Sequence, residues 1–541
     1  MANEPTPRVL IASRQSDLAK IQAYMVADAL RAAWPGLEVG HHFRESLGDI
    51  NLTDPLWKIP ERGVFTEDFV QGLARGEFDC VVHSWKDLPT ENRPGAEIVA
   101  TLPRADARDL VLLRRDLPEG GDWKILSSSP RRAHNLQGFF EIFLPVKPAS
   151  VEFKSVRGNV PRRIEKLTEG EGDGLILAKA ALDRLLDDRY AEFAPTREKL
   201  QRWLQNFWII ALPLELNPPA AAQGALAIEI RSDRADLRQI FAPLNHAPTF
   251  EAVHWERQRL SDHGGGCHLK IGLLQTRWAP DSPLRLTIER GQTPAGVDFS
   301  HRGAFGLTRA PAPVGPVASL RTEDLFETAS IPVRGVSDDP SAAADPLAFV
   351  KSAPVRLAHS RALTTEIAAL LKSRGPKDPW VWASGLESWK KLAAQGIWVR
   401  GCDEGLGTES GLSRGLDRLM RVNAGRSSDR TSPLWARVSH EDRAGGLGDD
   451  ERLIATYRLT PKAPTAATLE TLKNAVAFFW RSAALYKEAI KHVPSLKEKD
   501  HACGPGATRQ VLEHDLGRSL EDRLFFNELD WKTWVETSSK G

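Results

Sequence analysis

Positively charged side chains recur in this sequence where short apolar runs pass into helical stretches. They lie in the segments IASRQS, HSWKDLPT, SSSPRR, RGNVPRR and ALDR, as Arg14, Lys86, Arg131, Arg132, Arg157, Arg162, Arg163 and Arg184. In doubly wound α/β lobes the carboxyl ends of the strands face the ligand crevice, so we expect these cations to converge there. Arginine binds carboxylates and phosphates through paired N–H donors, so the expected ligand is a polyanion. The alternative is a solvated surface, but a solvated face does not select strand ends.

One carboxylate, Asp87, follows Lys86 at the end of the apolar run DCVVHS. A carboxylate in a cationic pocket stays ionised near neutral pH and can stabilise developing positive charge or transfer a proton. The alternative from local sequence is a structural aspartate that caps a turn. His83 and Cys80 lie in the same apolar run, and we expect both to be packed in the core.

Three glycines precede a cysteine in the segment DHGGGCHLKIG. They remove side chains from the approach to Cys267 and allow positive φ, so the thiol is expected on a bare, sharply turned loop that can present sulfur to a bulky group. The four cysteines, Cys80, Cys267, Cys402 and Cys503, are far apart and form no CxxC pair. We therefore predict neither a disulfide framework nor a metal site.

Strands and helices alternate from Arg8 to about Ile230, which predicts two α/β lobes. The Pro/Ala-rich stretch LPLELNPPAAAQGALAIEI is expected to cross between them. Helix, loop and strand in TFEAVHWERQRLSDHGGGCHLKIGLL predict a smaller third domain. After Pro/Ala/Gly-rich connectors, a further α/β unit is expected to begin near Pro346.

The length and composition limit the class of protein. A chain of 541 residues exceeds the size of one hydrophobic core, so three or more domains are expected. It has no apolar run of about 18 residues and no signal-peptide pattern in MANEPTPRVLIASRQ, so we expect a cytoplasmic protein that binds no membrane. The formal net charge of +1 argues against nucleic acid as a partner.

From about Arg8 to Gly272 the chain resembles hydroxymethylbilane synthase, also called porphobilinogen deaminase. The matching motifs, in family order, are IASRQSDLAKIQA, GDINLTDPLWKIPERGVFTEDF, DCVVHSWKDLPT, SSSPRRAHNL, RGNVPRRIEKL, GLILAKAALDRL, AAQGALAIE and GGGCHLKIG. The resemblance implies two doubly wound, periplasmic-binding-protein-like lobes and a small α+β third domain. We predict the first domain at 1–104 with 207–228, the second at 105–206 and the third, with the cofactor cysteine, at 229–330.

The resemblance also implies a cofactor and a reaction. A dipyrromethane would be bound through a thioether to Cys267, and four porphobilinogen molecules would condense head to tail, with loss of ammonia, into a linear tetrapyrrole. Asp87 would hold pyrrole nitrogens and stabilise the azafulvene cation left when ammonia departs. The expected cofactor contacts are Ser84, Lys86, Asp87, Ser129, Arg131, Arg132 and Gly266. The expected substrate contacts are Arg14, Ser16, Arg157, Arg163 and Arg184, and we expect a monomer.

Two further segments bear on the site. Residues Gly48 to Phe65 match the family's mobile loop over the active site, which predicts a lid. The family's usual Thr in RGNVxTR is Arg162 in this chain, which adds a cation near the site.

Residues from about 346 to 541, after a linker at 331–345, resemble uroporphyrinogen-III synthase. The segments that carry this resemblance are WASGLESWKKLAAQGIWVRG, AVAFFWRSAALYKEAI and ACGPGATRQVLEHDLG. The substrate of that family is the product of the first reaction, so a fusion makes chemical sense. Gly506 and Ala507 stand where the family has hydroxyls, so a working cyclase and a degenerate lobe kept for stability or docking both stay open. We expect Cys402, Cys503 and the tryptophans to be structural.

The alternative to a transferase is a two-lobed anion-binding protein without catalysis. Two α/β lobes joined by crossings also describe solute-binding receptors. A receptor would need the arginines but not Asp87 together with a primed Cys267, so a covalent pigment on that cysteine would separate the two hypotheses.

Overall fold

The computed structural model describes residues 8–45, 67–91, 93–266, 269–278, 285–305, 309–336, 345–406, 414–426, 432–444 and 447–538. The predicted lid at Gly48–Phe65 and the proposed attachment residue Cys267 lie outside the described residues. Within the described part of the chain, no helix is long and apolar enough to cross a membrane.

The first half of the chain alternates strands and helices, as the sequence predicts. The strands are β1 (Arg8–Arg14), β2 (Glu38–Arg44), β3 (Cys80–Ser84), β4 (Ala96–Ala100), β5 (Asp109–Arg114), β6 (Asp122–Leu126), β7 (Ser150–Lys154), β8 (Gly174–Ala178), β9 (Phe207–Ala211), β10 (Leu226–Arg231), β11 (Lys270–Arg277), β12 (Arg285–Gln292) and β13 (Asp298–Phe305). The helices are α1 (Asp17–Ala33), α2 (Glu67–Arg75), α3 (Pro130–Asn135), α4 (Phe139–Phe143), α5 (Val160–Thr168), α6 (Lys179–Leu185), α7 (Ala194–Leu204), α8 (Ala235–Phe241) and α9 (Ala247–Asp262).

The first lobe is built on a five-stranded sheet in the order β2-β1-β3-β10-β4. Strand β1 runs parallel to β2 and β3, and β10 runs antiparallel to β3 and β4. Val9 and Ile11 share one face of β1 and pack in the same core as Val26 and Leu30 of α1. Residues two apart on a strand and four apart on a helix point the same way, so the apolar pattern determines this contact.

The second lobe has a sheet of the same size in the order β7-β6-β8-β5-β9. Every residue of β8 and β9 is buried, because helices or further chain cover both faces. Strand β9 pairs antiparallel with β5, although the predicted boundaries (207–228) assign it to the first domain. The chain therefore returns to the first lobe after Ala211, through residues 212–225, which we call the crossing segment.

The third unit is the antiparallel sheet β11-β12-β13 with α9 packed on β11. It is smaller than the predicted range 229–330. Leu237 and Phe241 of α8 pack in the core of the first lobe, and the next strand after Phe305 belongs to the C-terminal region. The predicted range therefore included elements whose partners lie in the neighbouring units.

The C-terminal region holds two α/β sheets. Its strands are β14 (Val317–Ser319), β15 (Phe326–Val336), β16 (Val355–Leu357), β17 (Val381–Ala383), β18 (Trp435–His440), β19 (Glu451–Pro461), β20 (Ala477–Trp480) and β21 (Asp500–Cys503). Its helices are α10 (Thr322–Leu325), α11 (Pro346–Ser352), α12 (Thr365–Lys372), α13 (Leu386–Ala393), α14 (Asp417–Asn423), α15 (Ala466–Asn474), α16 (Ala483–His492), α17 (Ala507–Leu516) and α18 (Glu528–Ser538).

These two sheets have the orders β15-β19-β18-β16-β17 and β14-β20-β21. The long antiparallel pair of β15 and β19 carries the chain into and out of the first of them. The predicted linker at 331–345 therefore begins inside a strand, because β15 extends to Val336. Strand β14 also precedes the predicted start at Pro346.

The second lobe and the C-terminal region are joined edge to edge. Residues 399–402 lie between β17 and β9: the Arg400 N–H donates to the Val381 carbonyl at 2.8 Å, and the Ala211 N–H donates to the Arg400 carbonyl at 2.8 Å. Gly401 lies against Trp382, where a Cβ would come within 2.3 Å of the indole ring. The two five-stranded sheets are thus bridged by one extended segment, and apolar side chains of both regions share one core.

Candidate active site

The residues Lys86 and Asp87 lie on a 3₁₀ turn, Trp85–Asp87, directly after β3. The turn is anchored by Trp85, which is buried, and by the Ser84 hydroxyl, which lies 2.9 Å from Nε2 of the buried Gln22 of α1. Arg257 of α9 donates to the Leu88 carbonyl at 3.2 Å on the other side. Because its neighbours are fixed, the exposed carboxylate of Asp87 is held at the edge of the first lobe.

In the second lobe, the start of α3 places two arginines around one carboxylate. The Ser129 hydroxyl caps this helix by accepting the Arg132 N–H at 3.4 Å. Arg131 donates to Asp109 at 2.8 Å, and Arg132 donates to both Asp109 oxygens at 3.0 and 2.6 Å. Burial alone would raise the pKa of Asp109, but the two guanidinium groups outweigh it and hold that pKa far below its usual range.

The crossing segment completes the shell of donors around Asp109. Asn217 donates to it at 2.9 Å, and Gln223 donates at 2.8 Å. The carbonyl oxygen of the same Gln223 side chain accepts from Lys86 Nζ at 3.1 Å. A continuous path of hydrogen bonds therefore runs from Asp109 in the second lobe to Lys86 in the first.

The charges that act on Lys86 and Arg163 show which ionised side chains of the two lobes interact. Burial lowers the pKa of Lys86, and Asp87 and Arg132 are among the charges that act on it. Burial, followed by the positive charge of Arg132, lowers the pKa of Arg163 to about 10, and Asp87, Arg157 and Arg14 also act on this group. The charges of Arg14 and Asp87 in the first lobe thus act on Arg163 in the second lobe, together with those of Arg132 and Arg157.

Two of the predicted cations have other surroundings. Arg184 is buried and donates to the Gly224 carbonyl of the crossing segment at 2.7 Å, while its Nε has no partner among the described residues. Arg162 is exposed and binds Glu165 at 2.6 Å and Glu169 at 3.0 Å on its own helix and just beyond it. The expectation that Arg162 adds a cation near the site is therefore wrong, because these carboxylates hold it on the outer surface of α5.

The three glycines before Cys267 all have positive φ. The φ values of Gly264, Gly265 and Gly266 are 103°, 67° and 97°, a run of left-handed backbone that favours glycine. A Cβ on Gly265 would lie 2.8 Å from Oγ1 of Thr90, three residues after Asp87. The turn that leads to Cys267 therefore packs against the loop that carries Asp87.

Ser16 begins α1 without its hydroxyl capping the helix. His83 and Cys80 are buried in β3, where Nε2 of His83 lies 2.9 Å from Glu229. These contacts account for both residues as parts of the core. A cavity of about 540 Å³ beside α3 is lined among others by His134, Phe153 and Lys270, and its lining includes neither Arg131 nor Arg132.

Asp109, Asn217 and Gln223 are not among the site residues that the sequence predicts. Asp109 begins the apolar strand DLVLLR, and a carboxylate at the start of such a buried strand signals a paired charge. Gln223 lies within the motif AAQGALAIE, which was recognised as a crossing but not as a source of ligands. These residues become visible as a group only when the two lobes are assembled.

The chemistry of the assembled site follows from its charges. The cations named above, Arg14, Lys86, Arg131, Arg132, Arg157 and Arg163, outnumber the two carboxylates Asp87 and Asp109. Such a site suits a ligand with several carboxylates, and Asp87 can stabilise positive charge that develops on it.

Known proteins resemble this chain over its first half. Residues 9–239 match the family model described as porphobilinogen deaminase, dipyromethane cofactor binding domain. A porphobilinogen deaminase from Chromobacterium violaceum is 38% identical over 276 residues, which are 50% of this chain and 80% of that protein. The porphobilinogen deaminase of Desulfitobacterium hafniense is 36% identical over 268 residues, 49% of this chain and 79% of that protein.

A search of solved structures finds more distant similarity. A periplasmic sulfonate-binding protein from Methylobacillus flagellatus is 14% identical with a TM-score of 0.26, covering 48% of this chain and 72% of that one.

Proposed function

This chain belongs to the porphobilinogen deaminase family, and on that premise we propose that it is a hydroxymethylbilane synthase whose dipyrromethane is attached to Cys267. In each condensation the aminomethyl carbon of porphobilinogen loses ammonia and forms a carbon–carbon bond to a free pyrrole α-carbon, which releases its proton. The observation that carries this proposal is the packing of the loop that carries Asp87 against the triple-glycine turn, together with the electrostatic action of Asp87 and Arg14 on Arg163 of the second lobe.

The residues present fit a dipyrromethane. The group carries carboxylate side chains, and the cations of the site outnumber its two carboxylates, Asp87 and Asp109. A guanidinium has five N–H donors, of which three bind described residues in both Arg131 and Arg132. When bound, the dipyrromethane supplies the primer for chain growth.

Asp87 acts on the reacting substrate. Departure of ammonia leaves positive charge on the pyrrole and its methylene carbon, and a fixed carboxylate beside them lowers the energy of that state. Because Trp85, Ser84 and Arg257 hold the turn on both sides, Asp87 is positioned before substrate binds. Preorganised charge of this kind acts on the barrier rather than on the binding of the ground state.

The remaining residues bind and orient carboxylates. We assign Lys86, Arg131 and Arg132, with Ser84, Ser129 and Gly266, to the cofactor. We assign Arg14, Ser16, Arg157, Arg163 and Arg184 to the substrate and growing chain. Arg131, Arg132 and Lys86 are preorganised for this role by Asp109 and Gln223.

The intact mass of the purified protein, with peptide mapping around Cys267, tests the proposal. We expect an added mass of two linked pyrrole units on that peptide. The variant Cys267→Ser should fold but lack both the added mass and turnover. The matched control Cys503→Ala, at a buried cysteine of β21, should keep both.

The same measurement separates the synthase from a two-lobed anion-binding protein. Normal turnover by Cys267→Ser would refute the attachment. An unmodified thiol in folded protein that also fails to gain the mass with added porphobilinogen or preformed bilane would favour the binding protein.

A second candidate activity, closure of the linear tetrapyrrole to the type III ring, belongs to the C-terminal region. It is supported by the two α/β sheets of this region, in which every strand pair except β15 with β19 is parallel, and by the Gly-Pro-Gly turn that leads from β21 into α17. The test supplies preformed bilane and compares the type III fraction with that formed without protein. Equal fractions would leave a lobe kept for stability or docking.

A further inference from the structure

One carboxylate of the C-terminal region reaches into the N-terminal half of the chain. Glu404 follows the bridging residues 399–402 and is buried. Its Oε1 accepts the Leu214 N–H at 2.8 Å, and its Oε2 accepts the Glu215 N–H at 2.9 Å. The backbone of Glu404 has a φ of 52°, which is uncommon for a residue other than glycine and persists where the surroundings determine it.

The two amides belong to a turn that holds an arginine of the candidate active site. The Asn217 N–H donates to the Pro213 carbonyl at 2.9 Å and closes the turn around Leu214 and Glu215. At the end of this turn, the Asn217 side chain and the Pro218 carbonyl accept from Arg131 at 3.1 and 2.6 Å. Glu404 is therefore separated from Arg131 by one short hydrogen-bonded turn.

No other acceptor serves these two amides among the described residues. Leu214 is buried, and a buried N–H without an acceptor is strongly unfavourable. Without the carboxylate, the turn would have to move so that water or another group reaches the amides. Such a movement would shift Asn217 and Pro218, and Arg131 with them.

The third domain also contacts Glu404 and the turn that it binds. Arg302 of β13 donates to the Glu215 carboxylate at 3.0 Å and to the Glu404 carbonyl at 3.3 Å. The crossing segment, the third domain and the C-terminal region thus make contact around Glu404. A displacement of the C-terminal region would therefore move Glu404, the turn that it binds and Arg131.

We infer that Glu404 is a positioning residue for the deaminase reaction, through which the C-terminal region fixes the turn that orients Arg131. The inference rests on the proposed function for its kinetic consequence, but the contact itself is independent of any activity. It gives the C-terminal region a role in the first reaction whether or not that region closes the ring.

A second contact between the same regions provides a matched control. Asn423 is fully buried in the C-terminal region and donates to the Leu204 and Phe207 carbonyls of the second lobe at 2.7 and 3.1 Å. Among the described residues, its hydrogen bonds reach neither the turn nor the residues around Asp109. The variant Asn423→Ala should therefore weaken the attachment of the two regions without displacing Arg131.

The experiment compares Glu404→Ala, Glu404→Gln and Asn423→Ala in the full chain, with hydrogen exchange and bilane formation as readouts. Loss of Glu404 should speed exchange of the Leu214 and Glu215 amides. It should also lower kcat roughly tenfold or more, with a smaller change in KM for porphobilinogen, since Arg131 is assigned to the cofactor. Glu404→Gln keeps one acceptor oxygen, so its amide exchange rates and its kcat should lie between those of Glu404→Ala and of the unaltered chain. Asn423→Ala should keep the amide protection and the kcat of the unaltered chain.

Two results would overturn the inference: unchanged exchange at Leu214 and Glu215 in both Glu404 variants, or an equal kcat in these variants and Asn423→Ala. Should Glu404→Ala fail to fold, Glu404→Gln, which has nearly the same size, carries the comparison. A parent chain without pyrrole mass or bilane formation would refute the proposed function instead, and the exchange rates would still decide whether Glu404 holds the turn.

Discussion

The second lobe has interfaces with the first lobe and with the C-terminal region, and both contain apolar contacts. A cluster of charges distinguishes the interface with the first lobe. Towards the first lobe it presents Arg132, Arg157 and Arg163, with Asp109 and Gln223 as the hydrogen-bonded link. Towards the C-terminal region it presents an apolar core and an aromatic stack, in which the rings of Trp208 and Trp398 lie 4.2 Å apart at 9°.

This difference indicates that the two interfaces of the second lobe have different functions. Charges of one sign gathered in a cleft repel one another and favour a ligand of the opposite sign. Apolar burial with strand pairing has no such need and holds its partners without a ligand. The charged cluster between the lobes, which we call the polar side, is therefore suited to binding and chemistry. The apolar interface with the C-terminal region, which we call the apolar side, is suited to fixing the second lobe to a rigid support.

The largest expected effect tests the polar side. We expect Asp87→Ala to retain its covalent cofactor while kcat falls on the order of a thousandfold, because charge on the reacting pyrrole is no longer stabilised. Steady-state bilane formation, with intact mass as the measure of cofactor, checks this. Asp87→Glu keeps the negative charge and should lose less of its kcat than Asp87→Ala. An unchanged kcat in Asp87→Ala would show that Asp87 does not stabilise the reacting pyrrole.

The next effect tests the apolar side. Trp389 is fully buried, donates to the Phe143 carbonyl at 2.8 Å and packs edge-on against Phe139 and Phe143. We expect Trp389→Ala to lower the free energy of unfolding by about 3 kcal/mol through the cavity it leaves. Urea unfolding checks the loss, and kcat per folded molecule should stay unchanged. If Trp389→Ala instead kept its stability and lost much of its kcat, the apolar interface would also serve catalysis, and the two interfaces would not differ in function.

A smaller effect lies in the last sheet, away from both interfaces. His501 is fully buried and accepts from Trp480 Nε1 at 2.9 Å, and burial lowers its pKa to about 4. The unfolded chain takes up this proton near pH 6.5 and the folded chain only near pH 4, so stability is present above pH 6.5 and is lost as the pH falls towards 4.

Between pH 7 and pH 5 we therefore expect the free energy of unfolding of this sheet to fall by about 2 kcal/mol. Hydrogen exchange of the β20 and β21 backbone amides, followed at the two pH values, measures the change in this sheet. His501→Gln should flatten this pH dependence, and an equally steep dependence in that variant would assign it to another group.

The smallest expected effect tests how far the charged site extends around α5. Arg162 binds Glu165 and Glu169 on the outer surface, so we expect Arg162→Thr to change kcat/KM by less than about twofold. Arg163→Thr, one residue along the same helix, should raise KM clearly, because Arg163 lies among the charges of the site. Equal effects of the two variants would mean that the site extends further around α5 than the structure indicates.

Local sequence determined much of this protein. The alternation of strands and helices, the cations of the strand ends and the glycine run before Cys267 follow from periodicity and backbone preference, which act over a few residues. The α/β organisation was predicted from these signals, and positive φ at Gly264, Gly265 and Gly266 agrees with them.

Only the tertiary structure decided which distant segments meet. Strand β9 joins the second sheet and is bridged by residues 399–402 to β17, Gln223 links Asp109 to Lys86, and Glu404 reaches the turn before Arg131. Arg162 and Arg163 are adjacent in sequence, yet the helix turns one outward and the other towards the site. Hydrogen bonds and burial between residues far apart in the chain leave no local pattern, because their energy depends on the assembled surfaces and not on neighbours in sequence.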